Sequence, residues 1–319
     1  MKKLSVVLAV LLSALPLASL AQSWPQRPVK LILPLGPGSG ADIGARLFAD
    51  KLTTRWGQPV VVENRPGGDG IIAINAVLSA KDDHTLLWGP TASIVGHPYT
   101  LDKMPYDPKD LVPVARVTST VVTIAVPVSL NVNSLKELFD RARREPGKMN
   151  WTSVVSVTDV IIEAFLKKAG IEMARIPYKN PTGATTDLIE GRIHLYSSAY
   201  AIVRPHIQGG KVKLLAVQNR DRVQGLDLPT VAEAGFPDLN FDGLVGIMAG
   251  RSSNLPDAAR DRIAADIKAI AADPVIAERL VSTAQINNPG NAAEFSASMD
   301  EQVRNMEAVA KIVGMSPKR

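Results

Sequence analysis

VKLILPLGPGSGADIGARLFADKLTTRWG, residues 29–57, sets out the repeating unit of this chain. Val29 to Leu33 form a short apolar run with the length of one strand. After the glycine-rich stretch Pro34–Gly40, residues Ile43, Leu47, Phe48 and Leu52 fall on one helical stripe that ends at Gly57. Val60-Val61-Val62 then read as a second strand and Arg65-Pro66-Gly67-Gly68 as a turn. Ile71, Ile74 and Leu78 mark one face of another helix, and Thr85-Leu86-Leu87-Trp88 a third strand. Short apolar strands alternating with amphipathic helices predict parallel pairing through βαβ units.

A second series of the same kind starts near Ser134. Ser134-Leu135-Lys136-Glu137 fits a helix-capping pattern, with Leu135 and Leu138 facing inward and Gly147 beyond the helix end. Strands are expected at Met149–Thr152, Ala174–Pro177, Ile193–Tyr196 and Lys213–Val217, and the alanine-rich chain from Asp257 onward is mainly helical. Two strand-like stretches, Val114–Val126 and Leu239–Ala249, belong to neither series. They predict a two-lobed α/β protein, each lobe a mainly parallel sheet flanked by helices, joined by two crossover strands. Lobe 1 is then discontinuous, residues 22–120 and 241–319, and lobe 2 is residues 121–240. The loops leaving the strand C-termini face a cleft in such a layout.

Composition narrows the class. Lys2 and Lys3, the apolar run Leu4–Leu20 and the small residues of Ser19-Leu20-Ala21 predict a signal peptide over residues 1–21. Cleavage after Ala21 would leave a soluble monomer in the periplasm beginning at Gln22. The sequence has no cysteine, so disulfides and thiolate chemistry are excluded and stability must come from burial. A formal charge of +5 favours anionic ligands without identifying them. The densest basic cluster, Arg141 to Arg144, reads as one exposed helix side, so nucleic acid is not an expected partner.

Three loops carry candidate chemistry. Pro34-Leu35-Gly36-Pro37-Gly38-Ser39-Gly40-Ala41-Asp42 links the first strand to the first helix. Its backbone amides at a helix N-terminus suit a carboxylate or a phosphate; equally, the stretch is a tight turn whose Asp42 stabilises the first helical turn. It is neither a P-loop nor a clean dinucleotide fingerprint, and no cofactor is expected. Gly89-Pro90-Thr91-Ala92-Ser93 leaves the third strand with two hydroxyls, and Trp151 to Asp159 leaves the first strand of the second lobe with several more. Each hydroxyl taken alone can be a helix cap; together, three such loops end separate strands. No catalytic constellation stands out. The four histidines, His84, His97, His194 and His206, lack the spacing of a helical zinc site, and no serine sits in a nucleophile elbow.

The stretches WPQRPVKLILPLGPGSGADIGARL (24–47), GQPVVVENRPGGDGIIA (57–73), PYDPKDLVPVARV (105–117), IPYKNPTGATTDLIEGRIHL (176–195) and LPTVAEAGFP (228–237) together resemble the periplasmic receptors of tripartite tricarboxylate transporters, the Bug receptors. The resemblance implies a receptor, not an enzyme, that closes on a small organic carboxylate and passes it to membrane permease subunits. It implies a proximal carboxylate held by Leu35, Gly36, Gly38, Ser39 and Gly40, aided by Thr91 and Ser93. Ser153, Ser156 and Thr158 close from the second lobe, with Ser197, Ser198 and Tyr200 beyond the later strand. The chain departs from the family pattern at Val155, Val157 and Ile161, at Ser198 where an acid is common, and at Leu244-Val245 where aromatic residues are common. Those changes point to an aromatic or otherwise rigid mono- or dicarboxylate in preference to citrate or an amino acid. The alternative readings are an extracytoplasmic sensor feeding a signalling partner, or an enzyme using the same cleft.

Overall fold

A computed structural model describes residues 24–153, 156–178 and 181–318, with backbone alone at residues 156, 181 and 182. The expected leader, Val154 and Val155 lie outside the described residues. Among the described residues, eleven strands and ten α-helices follow one another. The first sheet contains β1 (Val29–Leu33), β2 (Val60–Asn64), β3 (Thr85–Pro90), β4 (Leu111–Thr120), β10 (Gly243–Gly250) and β11 (Gln285–Gly290), in the order β11-β4-β10-β3-β1-β2. The second holds β5 (Val122–Pro127), β6 (Met149–Ser153), β7 (Met173–Arg175), β8 (Leu195–Ala199) and β9 (Val212–Val217), in the order β7-β6-β8-β5-β9.

The two α/β sheet units agree with the sequence reading, but the sheets are mixed instead of mainly parallel. β1 pairs in parallel with β2 and β3, and β6 with β7 and β8. β10 is antiparallel to β3 and β4, and β5 to β8 and β9. The reason is directional. β1, β3, β6 and β8 run toward the edge where the sheets meet, whereas β5 and β10 enter across that edge from the other sheet and run away from it, as β11 also does.

The crossings also differ from two long strands. The run expected at Val114–Val126 is two strands, β4 and β5, interrupted at Val121, whose amide donates to Ala284 O at 3.0 Å and whose carbonyl accepts from Tyr200 N at 2.9 Å. The run expected at Leu239–Ala249 becomes a strand only at Gly243, because Pro237–Leu239 form a 3₁₀ turn with proline at its start.

Helices α1 (Gly40–Trp56), α2 (Ile71–Ala80) and α3 (Thr91–Thr100) follow β1, β2 and β3; α4 (Leu135–Arg144), α5 (Ser156–Ala169), α6 (Pro181–Ile189) and α7 (Tyr200–Gln208) flank the second sheet. α8 (Asp257–Ala271) and α9 (Pro274–Ser282) return to the first, and α10 (Ala292–Val313) closes the chain. Asn291 and Glu294 cap α10 reciprocally, satisfying two amides that a helix start leaves unpaired. At 22 residues α10 is about 33 Å long, enough to serve both sheets. Its Phe295 packs with Met248 and Ile32 of the first sheet, while Met306 and Ala310 join a core with Val157, Ile161 and Phe165 of α5. Ala92, Val95 and Tyr99 of α3 enter that same core. No helix among the described residues is long and apolar enough to cross a membrane.

Candidate ligand-binding site

The sheet ends converge on one seam. β1, β3 and β4 end, and β10 and β11 begin, at the edge of the first sheet; β6, β8 and β9 end, and β5 begins, at the facing edge of the second. Thr120 pairs with Gly243 and Gln285, while Val122 pairs with Ala199. The seam is polar although it is buried. Thr118 Oγ1 donates to Gln285 Oε1 (3.0 Å), Gln285 Nε2 to Thr120 Oγ1 (3.2 Å) and Asn219 Nδ2 to Thr120 O (3.0 Å), while Val122 N donates to Asn219 Oδ1 (3.0 Å). Buried polar groups keep their stability only when paired in this way.

On the first-sheet side, the Leu35–Gly40 loop turns into α1. Ser39 caps the helix, accepting from Asp42 N at 3.3 Å. Asp42 is buried and accepts from Gly38 N (2.9 Å), Asn64 Nδ2 (2.8 Å) and Arg46 Nε (3.2 Å). Burial alone would raise its pKa, but these hydrogen bonds and the Arg46 charge together hold the carboxyl below its ordinary value. Asn64 Nδ2 also donates to Leu35 O at 2.9 Å, tying the loop to the end of β2. Gly38 has φ +82°, and a Cβ on Gly40 would lie 2.8 Å from Thr283 O. The first glycine serves the turn and the second the close approach to the seam. Of the loop amides, Gly38's serves Asp42 and Ser39's reaches Gly36 O at 3.4 Å, so the helix-entry reading describes much of this loop.

Thr91 is fully buried, and its hydroxyl donates to Gln302 Oε1 of α10 at 2.6 Å. Ser93 donates to Asp69 Oδ1 at 3.0 Å. Asp69 (φ 52°) lies in the Gly67–Gly70 turn, where His97 Nε2 meets its carbonyl at 3.0 Å and Tyr106 Oη lies 2.7 Å from His97 Nδ1. His97 is fully buried, and its role is to hold this turn against α3. Gly70 approaches both Pro34 and Ser93, so the β1, β2 and β3 loops form one surface.

On the second-sheet side, Ser153 donates to Asp159 Oδ1 at 2.7 Å, and Asp159 pairs with Arg175. Burial raises the Asp159 pKa against the opposing influence of Ser153 and Arg175. Ser197 donates to Gln218 Oε1, and Gln218 Nε2 to Leu239 O at 3.0 Å. Ser198 is fully buried and its Oγ has no hydrogen-bond partner among the described residues. Thr158 is buried in α5, whose backbone starts at Ser156. Tyr200 begins α7 and lines a cavity of about 290 Å³ at the seam with Val121, Arg204, Gln285 and Asn287. Arg204 forms no ion pair among the described residues; its Nη1 donates to Ser282 O at 2.7 Å.

The structure thus puts Gly40 beside Gln285, which lines the Tyr200 cavity, and groups Ser153, Ser197 and Ser198 on the facing edge. Gln218, Asn219, Gln285 and Arg204 were missed by sequence reasoning. The signal for the first two was the polar pair ending the apolar run of β9; Gln285 and Arg204 carried none. Val157, Ile161 and Leu244, three of the family departures, share a separate groove of about 490 Å³ beside α10. Among the described side chains, none of the predicted ligand residues lines that groove. Asp82, Asp83 and His84 cluster elsewhere, but His84 is engaged by Asp83 Oδ1 (2.6 Å) and Gln26 N (3.2 Å), which fastens the segment after Trp24.

Two sheet units with facing strand ends, joined by crossings and lined by hydrogen-bonding groups, define a periplasmic-binding-protein architecture. The chain belongs to the tripartite tricarboxylate transporter family receptors, whose family model matches residues 44–315. It is 32% identical over 317 residues to a UPF0065 protein of Bordetella bronchiseptica, covering 98% of this chain and 94% of that protein. Protein BugT of Bordetella pertussis is 30% identical over 262 residues, 80% of each chain. Among solved structures, R. palustris Rpa4515 with adipate is 28% identical with TM-score 0.79, covering 92% of this chain and 99% of that one. The periplasmic binding protein BugD is 25% identical with TM-score 0.74, covering 93% and 100%. The family and these neighbours are binding proteins, not enzymes.

Proposed function

We propose that the chain is exported with its leader removed, captures a small organic carboxylate at the seam, and delivers it to the membrane subunits of a tripartite transporter. The observation that carries this reading is the meeting of two strand-end surfaces at a buried polar seam that contains an unpaired hydroxyl, Ser198 Oγ. Its bound acid contacts residues Leu35–Gly40 and Tyr200, and Arg204 draws the anion. The adipate carried by Rpa4515 supports the ligand class.

The ligand lacks an ammonium group. The acids nearest the strand ends are all engaged: Asp42 with Gly38, Asn64 and Arg46, Asp69 with Ser93, and Asp159 with Ser153 and Arg175. Citrate is disfavoured because the hydroxyls of Thr91, Ser93, Ser153 and Ser197 are already donated within the protein. Each unpaired polar group buried costs about 1–3 kcal/mol. A rigid or aromatic mono- or dicarboxylate brings fewer such groups. Mass spectrometry of molecules released from denatured protein, followed by calorimetry with benzoate-type acids, adipate, citrate and glutamate, tests the reading. Binding of none of them, with no acid released, overturns it; tight glutamate or citrate binding overturns only the preference.

A further inference from the structure

We propose that the groove beside α10 is a second ligand site, which takes an apolar monocarboxylate and holds the two sheet units together. Its volume, about 490 Å³, lies in the range of small-molecule sites. The floor is apolar and is drawn from both sides of the seam: Ala92 and Leu244 beside the first sheet, Val157, Ile161 and Phe165 beside the second.

Three cations reach its wall, and two are occupied. Lys168 pairs with Asp238, and Arg220 with Glu301 and Asp242, so these charges largely offset one another. Arg116 forms no ion pair among the described residues. Its Nε donates to Asn288 O at 3.1 Å and its Nη1 to Ser298 Oγ at 2.6 Å, and the rest of the guanidinium fork suits a carboxylate. The remaining acid, Asp221, is exposed beside Arg220. Asn240 supplies an independent sign of an occupant, because its Oδ1 is buried on this wall with no hydrogen-bond partner among the described residues. A hydroxyl on the ligand, or a water that it brings, gives that oxygen a donor.

An acid lying on the floor with its carboxylate on Arg116 satisfies both halves of the groove. Since the floor comes from both sides, such an acid favours the arrangement in which α3 and α5 are together. By linkage it strengthens binding at the seam, and the seam ligand strengthens it in return. The groove site itself does not depend on what the seam binds.

Octanoate is the probe. Titration calorimetry of the full chain should show binding that Arg116→Met weakens at least tenfold, about 1.4 kcal/mol. Ala308→Trp, which fills the groove from an exposed position of α10, should abolish it; an unchanged Tm shows that this variant is folded. Saturating adipate, offered to the seam, should leave octanoate binding intact or strengthen it. Binding that survives both groove variants, octanoate displaced by adipate, or no binding by the native chain overturns the proposal.

Discussion

Replacing Asp42 by alanine should destabilise the protein by about 3–5 kcal/mol, because it strips the β1–α1 loop of its central acceptor. The carboxylate receives Gly38 N at 2.9 Å and Asn64 Nδ2 at 2.8 Å. Hydrogen bonds to a charged acceptor contribute about 1.5–3 kcal/mol each, and both donors would lose theirs. The Arg46 side chain is 50% exposed and can turn to water, so its ion pair adds little. For a chain of this size the loss lowers Tm on the order of 10 °C. Asp42→Asn, which keeps one acceptor oxygen, should lose about half as much. Because the folded pKa of Asp42 lies below 3.8, its stabilisation is fully present above pH 3.8 and is lost as pH falls through the folded value. The gap between wild type and Asp42→Asn should therefore narrow on acidification below pH 3.8. Denaturant unfolding across pH 2.5–7 measures both effects; the arms of this range are about one unit or more from 3.8. An alanine variant within about 0.5 kcal/mol of wild type, or a gap constant with pH, refutes the reasoning.

Asp159 should behave oppositely: burial raises its pKa, so its ionisation weighs against the fold as pH rises past 3.8. The Tm difference between Asp159→Asn and wild type should become more positive from acid to neutral pH, and a flat difference contradicts this. Ser198→Ala removes an unpaired buried hydroxyl and should keep or raise Tm while weakening carboxylate binding in calorimetry; lower Tm with unchanged binding would assign Ser198 a structural role. Gly40→Ala sets a Cβ against Thr283 O at 2.8 Å and should cost about 1–3 kcal/mol, read by thermal unfolding; an unchanged Tm means that the seam yields there.

Much of the fold was legible because its signals are local. The stripe of Ile43, Leu47, Phe48 and Leu52 gave α1, which ends at Gly57 in the left-handed conformation, although Ile43 is exposed and Ala45 lies on the buried face with Phe48 and Leu52. Ser134 accepts from Glu137 N at 3.1 Å as the capping pattern implies, although Glu137 reaches back to Asn133 N at 2.8 Å. Strand direction was not legible. An apolar run such as Gly243–Gly250, buried throughout, reads alike whether its neighbours are parallel or antiparallel. The interruption at Val121 was hidden for a similar reason, since its flanks are apolar and extended on both sides.

The sequence by itself determined the alternation of strands and helices, the absence of cysteine chemistry, the hydroxyl-bearing loops and, through its motifs, the receptor family. These depend on residues close together in the chain, where periodicity, capping and turn chemistry act. Only the tertiary structure decided which groups are already engaged. Thr91 meets Gln302, Ser197 meets Gln218, and Gly40 meets Thr283, all partners set by the packing of distant segments. It also decided that Val157 and Leu244 share the groove beside α10 while Ser198 stays unpaired in the second sheet. A side chain's residue type fixes which bonds it can make, but only the packing around it fixes which of them remain for a ligand.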